Sequence, residues 1–241
     1  MSLPGFAPAW SLPPGVRAWV TTCGEAAGAS PFGGFNLASH VGDDPLQVAR
    51  HRQQLEAQLG CRAAWLNQVH GITVVEADPA QVPDADASWS AQRGIAAAVL
   101  TADCLPVLFC DRAGRRVAAA HAGWRGLLGG VLEASLAALA VAPGQVVAWL
   151  GPAIGPQVFE VGPEVRDAFL ADMPLAKAAF APSGRADHHL ADLYALARLR
   201  LARAGVTAVQ GGGFCTFSDP RFYSYRRQPR CGRFASLIWL Q

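Results

Sequence analysis

The sequence predicts a mixed-sheet α+β fold in one domain. Three observations lead there. Its short strands come in hairpin-like groups with helices interspersed, not in the strict strand–helix alternation of a doubly wound parallel sheet. Of 241 residues, 51% are hydrophobic, ample for a sizeable core. No repeat, charge block or low-complexity linker divides the chain.

The elements follow in order. Residues 16–22 read as a strand, and the Gly/Ala/Ser/Pro stretch 24–35, without periodicity, as a mobile loop. Asp43-Asp44-Pro45 offers a capping acid and a proline in the first turn, so a helix starts there and runs to Leu59, with Gly60 as its stop. Arg50, Arg52 and Glu56 fall on its wet side, and His51 reads as structural. Short strands follow at 63–66, 73–76, 96–101, 107–111 and 116–120. Ala113-Gly114 makes the last two a hairpin. Residues 127–140 read as one helix, and Pro143-Gly144 breaks the chain before a strand at 146–150. Pro163 opens a helix that ends before Pro174. Asp192 to Ala204 is a further helix, stopped by Gly205. Strands at 206–210 and 236–240 close the chain.

The net charge of +2 gives no broad surface for a polyanion, so a nucleic-acid partner is not expected. No long apolar span suggests a membrane helix, and Met1-Ser2-Leu3-Pro4-Gly5-Phe6 lacks the basic start and apolar run of a secretion signal. The expected location is the cytoplasm. The six cysteines, none in a CxxC pair, then read as thiols rather than bridges.

Three residues stand out: His70 in Asn67-Gln68-Val69-His70-Gly71, Cys104 in Thr101-Ala102-Asp103-Cys104-Leu105-Pro106, and His121 in His121-Ala122-Gly123-Trp124-Arg125-Gly126. Each sits where an apolar run gives way to a turn. Two imidazoles and a thiolate suit Zn²⁺, and a coordination position open to water makes such an ion catalytic. If strands 96–101 and 116–120 are neighbours, Cys104 and His121 share a sheet edge. Spacing alone leaves two other readings open. Cys104 is equally a buried structural cysteine with two loop histidines elsewhere, or a nucleophile paired with His121. Asp103 is a candidate for proton transfer or for orienting an imidazole, and also a strand-end cap.

At these residues the chain resembles the YfiH/laccase-domain family, also known as polyphenol oxidase, purine nucleoside phosphorylase or peptidoglycan editing factor. Further matching blocks are Phe35-Asn36-Leu37-Ala38-Ser39-His40-Val41-Gly42-Asp43-Asp44-Pro45, Gly151-Pro152-Ala153-Ile154-Gly155, Phe159-Glu160-Val161-Gly162-Pro163-Glu164-Val165 and Phe222-Tyr223-Ser224-Tyr225-Arg226-Arg227. The resemblance covers nearly the whole chain. One block departs from the family pattern: Gln228-Pro229-Arg230-Cys231-Gly232-Arg233 replaces an acidic-Gly turn followed by Thr-Gly-Arg.

The resemblance implies a layered sandwich of mixed β-sheets flanked by helices. It implies zinc on His70, Cys104 and His121, with copper as the other ion the family names bring in. The implied activity is phosphorolysis of purine nucleosides (adenosine, inosine, guanosine, 5′-methylthioadenosine), with adenosine deamination beside it. Its partners are then small nucleosides and phosphate. In this frame Asp103, Cys104 and His121 are the catalytic candidates. Arg125, Arg226 and Arg227, with Arg233, are candidates to hold phosphate; Ser39 and His40 are candidates for the pocket floor or a helix start. Trp124 and Tyr223 are candidates to stack on a base. His188 and His189 carry no assigned role. Two rivals follow from the same residues: a Cys104–His121 thiol amidase acting on cell-wall precursors, and a copper phenol oxidase. The copper reading is the weaker, because six histidines with three already used leave too few ligands for several copper centres.

Overall fold

Alternating apolar strands bury one sheet face against another, and in this chain that pairing builds two sheets packed face to face with helices on both outer sides. The computed structural model describes residues 3–24 and 30–241. Its strands are β1 (Gly5–Phe6), β2 (Val16–Thr21), β3 (Arg62–Ala64), β4 (Val74–Glu76), β5 (Ala87–Ser90), β6 (Ile95–Thr101) and β7 (Leu105–Asp111). They continue with β8 (Val117–Ala122), β9 (Val146–Leu150), β10 (Glu160–Val161), β11 (Phe180–Pro182), β12 (His189–Ala191), β13 (Ala208–Gly211) and β14 (Phe234–Leu240). The α-helices are α1 (Pro45–Leu59), α2 (Trp124–Gly129), α3 (Val131–Leu139), α4 (Pro163–Asp172) and α5 (Leu193–Arg203).

One sheet has the order β1-β2-β14-β6-β3 and the other β13-β9-β7-β8-β5-β4, with a small β10-β12-β11 sheet beside them. Both large sheets are mixed: β3 lies parallel to β6, β13 to β9 and β4 to β5, and the remaining pairs are antiparallel. Val99, Ala97 and Ile238 from one sheet meet Leu108, Ala119 and Val117 from the other in the inner core. Leu55 of α1 packs with Leu100, Leu237 and Trp239 on the outer face of the first sheet. Phe109, Ala118 and Ala120 face α3, α4 and α5 on the outer face of the second. This is the mixed α+β layered sandwich that the sequence implied.

The caps explain several boundaries. Asp44 accepts the Leu46 N–H at the start of α1, and Gly60 ends that helix in the left-handed region. Asp192 accepts the Ala195 N–H at the start of α5. β7 and β8 form the expected hairpin, with Gly114 at φ +65° in its turn. His51 is buried and its Nδ1 lies 2.9 Å from the Asn36 carbonyl, a structural role.

Other expectations need correction. The helix expected at 127–140 is two helices. Gly130, at φ +101°, returns its N–H to Gly126 and turns the chain between α2 and α3. Arg52 and Glu56 are not on a free wet face: Arg52 lies over Trp65 and donates to the Leu37 carbonyl, while Glu56 accepts the Ala63 N–H. Strand β5 and the small sheet had no clear sequence pattern, because each of their strands has only two to four residues. Part of the loop expected at 24–35, residues 25–29, lies outside the described residues.

Candidate metal centre and its pocket

The chain leaves the first sheet at Thr101 and enters the second at Leu105, so Ala102-Asp103-Cys104 is a three-residue crossing between layers. Asp103 takes φ +94°, a conformation that turns the chain sharply and sets Cys104 at the sheet edge. β7 then pairs with β8, Leu105 opposite Ala122 and Pro106 opposite His121. Cys104 and His121 therefore meet through the β7–β8 ladder. The expected adjacency of strands 96–101 and 116–120 is not the reason, since β6 and β8 belong to different sheets. His70 comes from the loop between β3 and β4, with φ +60°. One nitrogen from each imidazole and the sulfur of Cys104 lie within 4.8 Å of one another, and Cys104 Sγ is 3.8 Å from His70 Nε2.

A residue that sequence reasoning missed organises this cluster. Asp86, fully buried just before β5, receives the N–H groups of Val69, His70 and Gly71 at 3.2, 2.9 and 2.6 Å on its carboxylate. The same carboxylate lies 2.8 Å from His121 Nδ1, and its backbone carbonyl accepts the His121 N–H. An ionised carboxylate only accepts, so Nδ1 carries the proton and Nε2 is left free for a ligand. Burial pushes the Asp86 carboxyl up, but its hydrogen bond from His121, the His121 charge, and the Gly71 and Val69 N–H groups more than offset this and hold it below the usual carboxylate range.

Cys104 and His121 are coupled. Burial alone raises the Cys104 thiol, yet the charge and hydrogen bond of His121, with those of His70, bring it down to about 6. Burial alone lowers the His121 imidazole, and the Cys104 thiolate with Asp86 raises it to about 9. The two shifts belong to one coupled pair: the sulfur is drawn toward its thiolate and the ring toward its charged form, and a bound ion would take the place of the ring proton on Nε2.

Gly123 makes room for this arrangement. A Cβ there would lie 2.9 Å from His70 Cδ2 and 3.0 Å from Cys104 Sγ, closer than side chains tolerate.

The three side chains form part of the wall of a cavity of about 380 Å³. Around them stand His40, Gln68, Asp103, Trp124, Arg125, Phe159, Tyr225, Arg226 and Arg233. The Gln68 amide is fixed against the backbone, giving its N–H to the Leu100 carbonyl and accepting the Leu100 N–H, both at 2.8 Å.

The candidate binding residues divide. Arg125 lines the cavity; its guanidinium lies 4.3 Å from the centre of the Trp124 ring and has no ion pair among the described residues. Arg226 lines it too, but its guanidinium donates twice to the Glu160 carbonyl. Arg233, also in the lining, gives one nitrogen to the Cys231 and Gly232 carbonyls. Arg227 does not line the cavity. It donates to the Thr216, Phe217 and Phe222 carbonyls at 2.7, 2.8 and 2.5 Å, so it is a strut inside the terminal loop rather than a phosphate holder. Ser39 is exposed and outside the lining, whereas its neighbour His40 is part of it. Tyr223 is buried with its hydroxyl on the Phe32 carbonyl, so Tyr225 is the tyrosine at the cavity. Asp103 reaches the cavity with both carboxylate oxygens already engaged, one by the Thr216 hydroxyl at 2.6 Å and one by the Arg226 N–H at 2.7 Å.

His40, Tyr225 and Arg233 thus join the site, and Asp86 supports it from behind. His40 and Tyr225 lay inside the matched blocks, and Arg233, already a candidate for phosphate, lies in the block that departs from the family pattern. Asp86 had none, because only the tertiary fold brings it under His70 and His121.

Known proteins share this architecture and sequence. The purine nucleoside phosphorylase PA4543 of Pseudomonas aeruginosa is 60% identical over 235 residues, covering 97% of each chain. The purine nucleoside phosphorylase YfiH of Escherichia coli K12 is 50% identical over 238 residues, again covering 97% of each. Among solved structures, NMB0706 of Neisseria meningitidis superposes with a TM-score of 0.94 at 49% identity, covering 98% of this chain and 99% of that one. YlmD of Geobacillus stearothermophilus superposes at 0.87 with 26% identity, covering 99% and 100%. The model of the family described as multi-copper polyphenol oxidoreductase laccase matches residues 17–241. With that match across nearly the whole fold, the chain belongs to this laccase-like family.

Proposed function

We propose that this chain is a cytoplasmic, metal-dependent purine nucleoside phosphorylase that accepts adenosine and its analogues together with inorganic phosphate. That it is an enzyme follows from relatives at 50–60% identity that bear an enzyme's name. The observation that carries the specific reading is the convergence of His70, Cys104 and His121 in the wall of a cavity that three arginines also line.

Two imidazoles and one thiolate form a borderline-soft donor set, which favours Zn²⁺ over hard ions such as Mg²⁺. The fit has support beside the ligand types: Asp86 fixes the His121 tautomer, and the neighbouring imidazoles draw the Cys104 thiol toward its thiolate. His70, Cys104 and His121 would hold the ion, which when bound supplies a Lewis acid for a phosphate or carbonyl oxygen and a means of activating water. Water activation of that kind would be the chemistry that adenosine deamination needs at the same site. The protein's own part is binding and charge placement. Arg125, Arg226 and Arg233 give the cavity three positive charges against the single lining carboxylate of Asp103, each oxygen of which already accepts a hydrogen bond. Such a wall suits an anionic co-substrate. Trp124, Phe159 and Tyr225 offer aromatic faces to a purine. Among the described residues, no helix is long and apolar enough to cross a membrane.

A second reading has its own observation. Cys104, His121 and Asp86 are linked as sulfur, imidazole and carboxylate, the relation found in thiol hydrolases. A copper phenol oxidase lacks such support. Among the described residues, which include all six histidines, one cluster has three metal-ligating groups.

The experiment is to purify the protein without chelator, measure bound metal, and incubate it with adenosine with and without phosphate. Adenine and ribose 1-phosphate formed only with phosphate support the proposal, and inosine formed without phosphate supports deamination. Activity that survives complete metal removal but ends on alkylation of Cys104 selects the thiol reading.

A further inference from the structure

Asp103, in the cavity wall, joins three segments of the chain. Its backbone carbonyl accepts the Ile154 N–H at 2.9 Å, holding the segment after β9. Oδ1 accepts the Thr216 hydroxyl at 2.6 Å, holding the loop after β13, and Thr216 is itself fully buried with its N–H on the Ala153 carbonyl. Oδ2 accepts the Arg226 N–H at 2.7 Å, holding the terminal loop that brings Tyr225 and Arg226 to the cavity. Three separate segments are therefore tied to one side chain and its carbonyl, and two of them, through Ile154 and through Tyr225 with Arg226, line the cavity. Asp103 directly precedes Cys104 and sits at φ +94°, where an L-residue with a Cβ is held only by its surroundings.

From this we infer that Asp103 is a positioning residue, a latch that anchors the terminal loop at the substrate cavity to the buried Thr216 behind it and ties its position to that of the Cys104 sulfur. In that role it is not the proton carrier of the reaction. Each oxygen already accepts one hydrogen bond, from the Thr216 hydroxyl and from the Arg226 N–H, so the carboxylate is oriented by the two loops it joins. The latch also accounts for how an exposed terminal loop, with its unusual Gln228-Pro229-Arg230-Cys231 sequence, keeps Arg226 and Tyr225 in place. The substrate consequence of the inference rests on the phosphorylase reading; the mechanical consequence does not.

Asp103→Asn keeps the shape and can satisfy both partners, its carbonyl oxygen accepting from Arg226 and its amide donating to the Thr216 oxygen, but it cannot take up a proton at neutral pH. Asp103→Ala removes both contacts, and Thr216→Val removes one without touching Asp103. The expected result is that D103N stays within about threefold of the parent in kcat and KM, while D103A raises the nucleoside KM about tenfold and T216V by about threefold, with bound metal unchanged. In the metal-loaded protein without substrate, amide exchange at residues 222–228 is expected to speed up about tenfold in D103A and to be preserved in D103N. A D103N variant whose kcat falls about a hundredfold, with one limb of the pH–rate profile lost and exchange unchanged, would overturn the inference in favour of proton transfer. Should D103A fail to fold, the contrast between T216V and D103N decides the same question. If the parent shows no phosphorolysis, the exchange measurement still tests the latch, and unchanged exchange in both D103A and T216V would refute it.

Discussion

The buried carboxylate of Asp86 lies 2.8 Å from Nδ1 of His121, and the same carboxylate collects three consecutive backbone N–H groups from the loop that carries His70. One acid thereby sets the orientation of two prospective ligands on different elements. A carboxylate behind a ligating histidine fixes its tautomer and raises its basicity, and loss of such a partner commonly costs about 10–100-fold in metal affinity.

Asp86→Asn is therefore expected to weaken Zn²⁺ binding by about 10–100-fold while the protein stays folded. Competition with a chromophoric chelator measures it. Affinity equal to the parent's would mean that His70 and His121 orient themselves without this acid.

Thiol reactivity should separate the cysteines in the metal-free protein. The thiolate is the nucleophile, so a lowered pKa moves reactivity to lower pH. Cys104, brought down to about 6, should alkylate at a rate that rises as pH passes through about 6 and levels off above it. Cys215, also lowered, should follow, whereas burial holds Cys61 and Cys110 near 12 and they should remain unmodified at neutral pH. Mass mapping after brief iodoacetamide treatment reads this order, and added Zn²⁺ should protect Cys104.

Gly123→Ala is expected to damage metal binding more than folding. Its Cβ meets His70 and Cys104 side chains rather than the core, so the ligands must move apart. Metal content should fall about tenfold or more in line with a disturbed ligand set, with the circular dichroism spectrum unchanged. Full metal occupancy would show that the loop carrying His70 yields without cost.

Two arginines a hundred residues apart in the chain should fail in different ways. Arg227→Ala leaves three carbonyls of the terminal loop without their donor, and a stability loss of about 1–3 kcal/mol is expected in urea unfolding. Arg125→Ala removes a guanidinium that has no ion pair among the described residues, so stability should hold while the KM for phosphate rises about tenfold. A phosphate KM that moves with Arg227 but not with Arg125 would reverse this assignment.

Where polar caps and glycines interrupt apolar periodicity, local chemistry alone determined the element. Asp44 and Gly60 bound α1, Asp192 starts α5, and Gly114 turns the β7–β8 hairpin. His70, Cys104 and His121 stood out too, since each ends an apolar run, but their reading as ligands came from the family resemblance and not from spacing. What local pattern could not determine was partnership across the layers. Which sheet β6 and β8 join depends on hydrogen bonds between strands far apart in sequence. Burying Asp86 under two histidines, turning Arg227 inward and Arg125 outward, and engaging both oxygens of Asp103 depend on contacts up to 123 residues apart. Those contacts exist only once the sheets have packed, because burial and the donors it brings within reach, not residue type, decide what a polar side chain does.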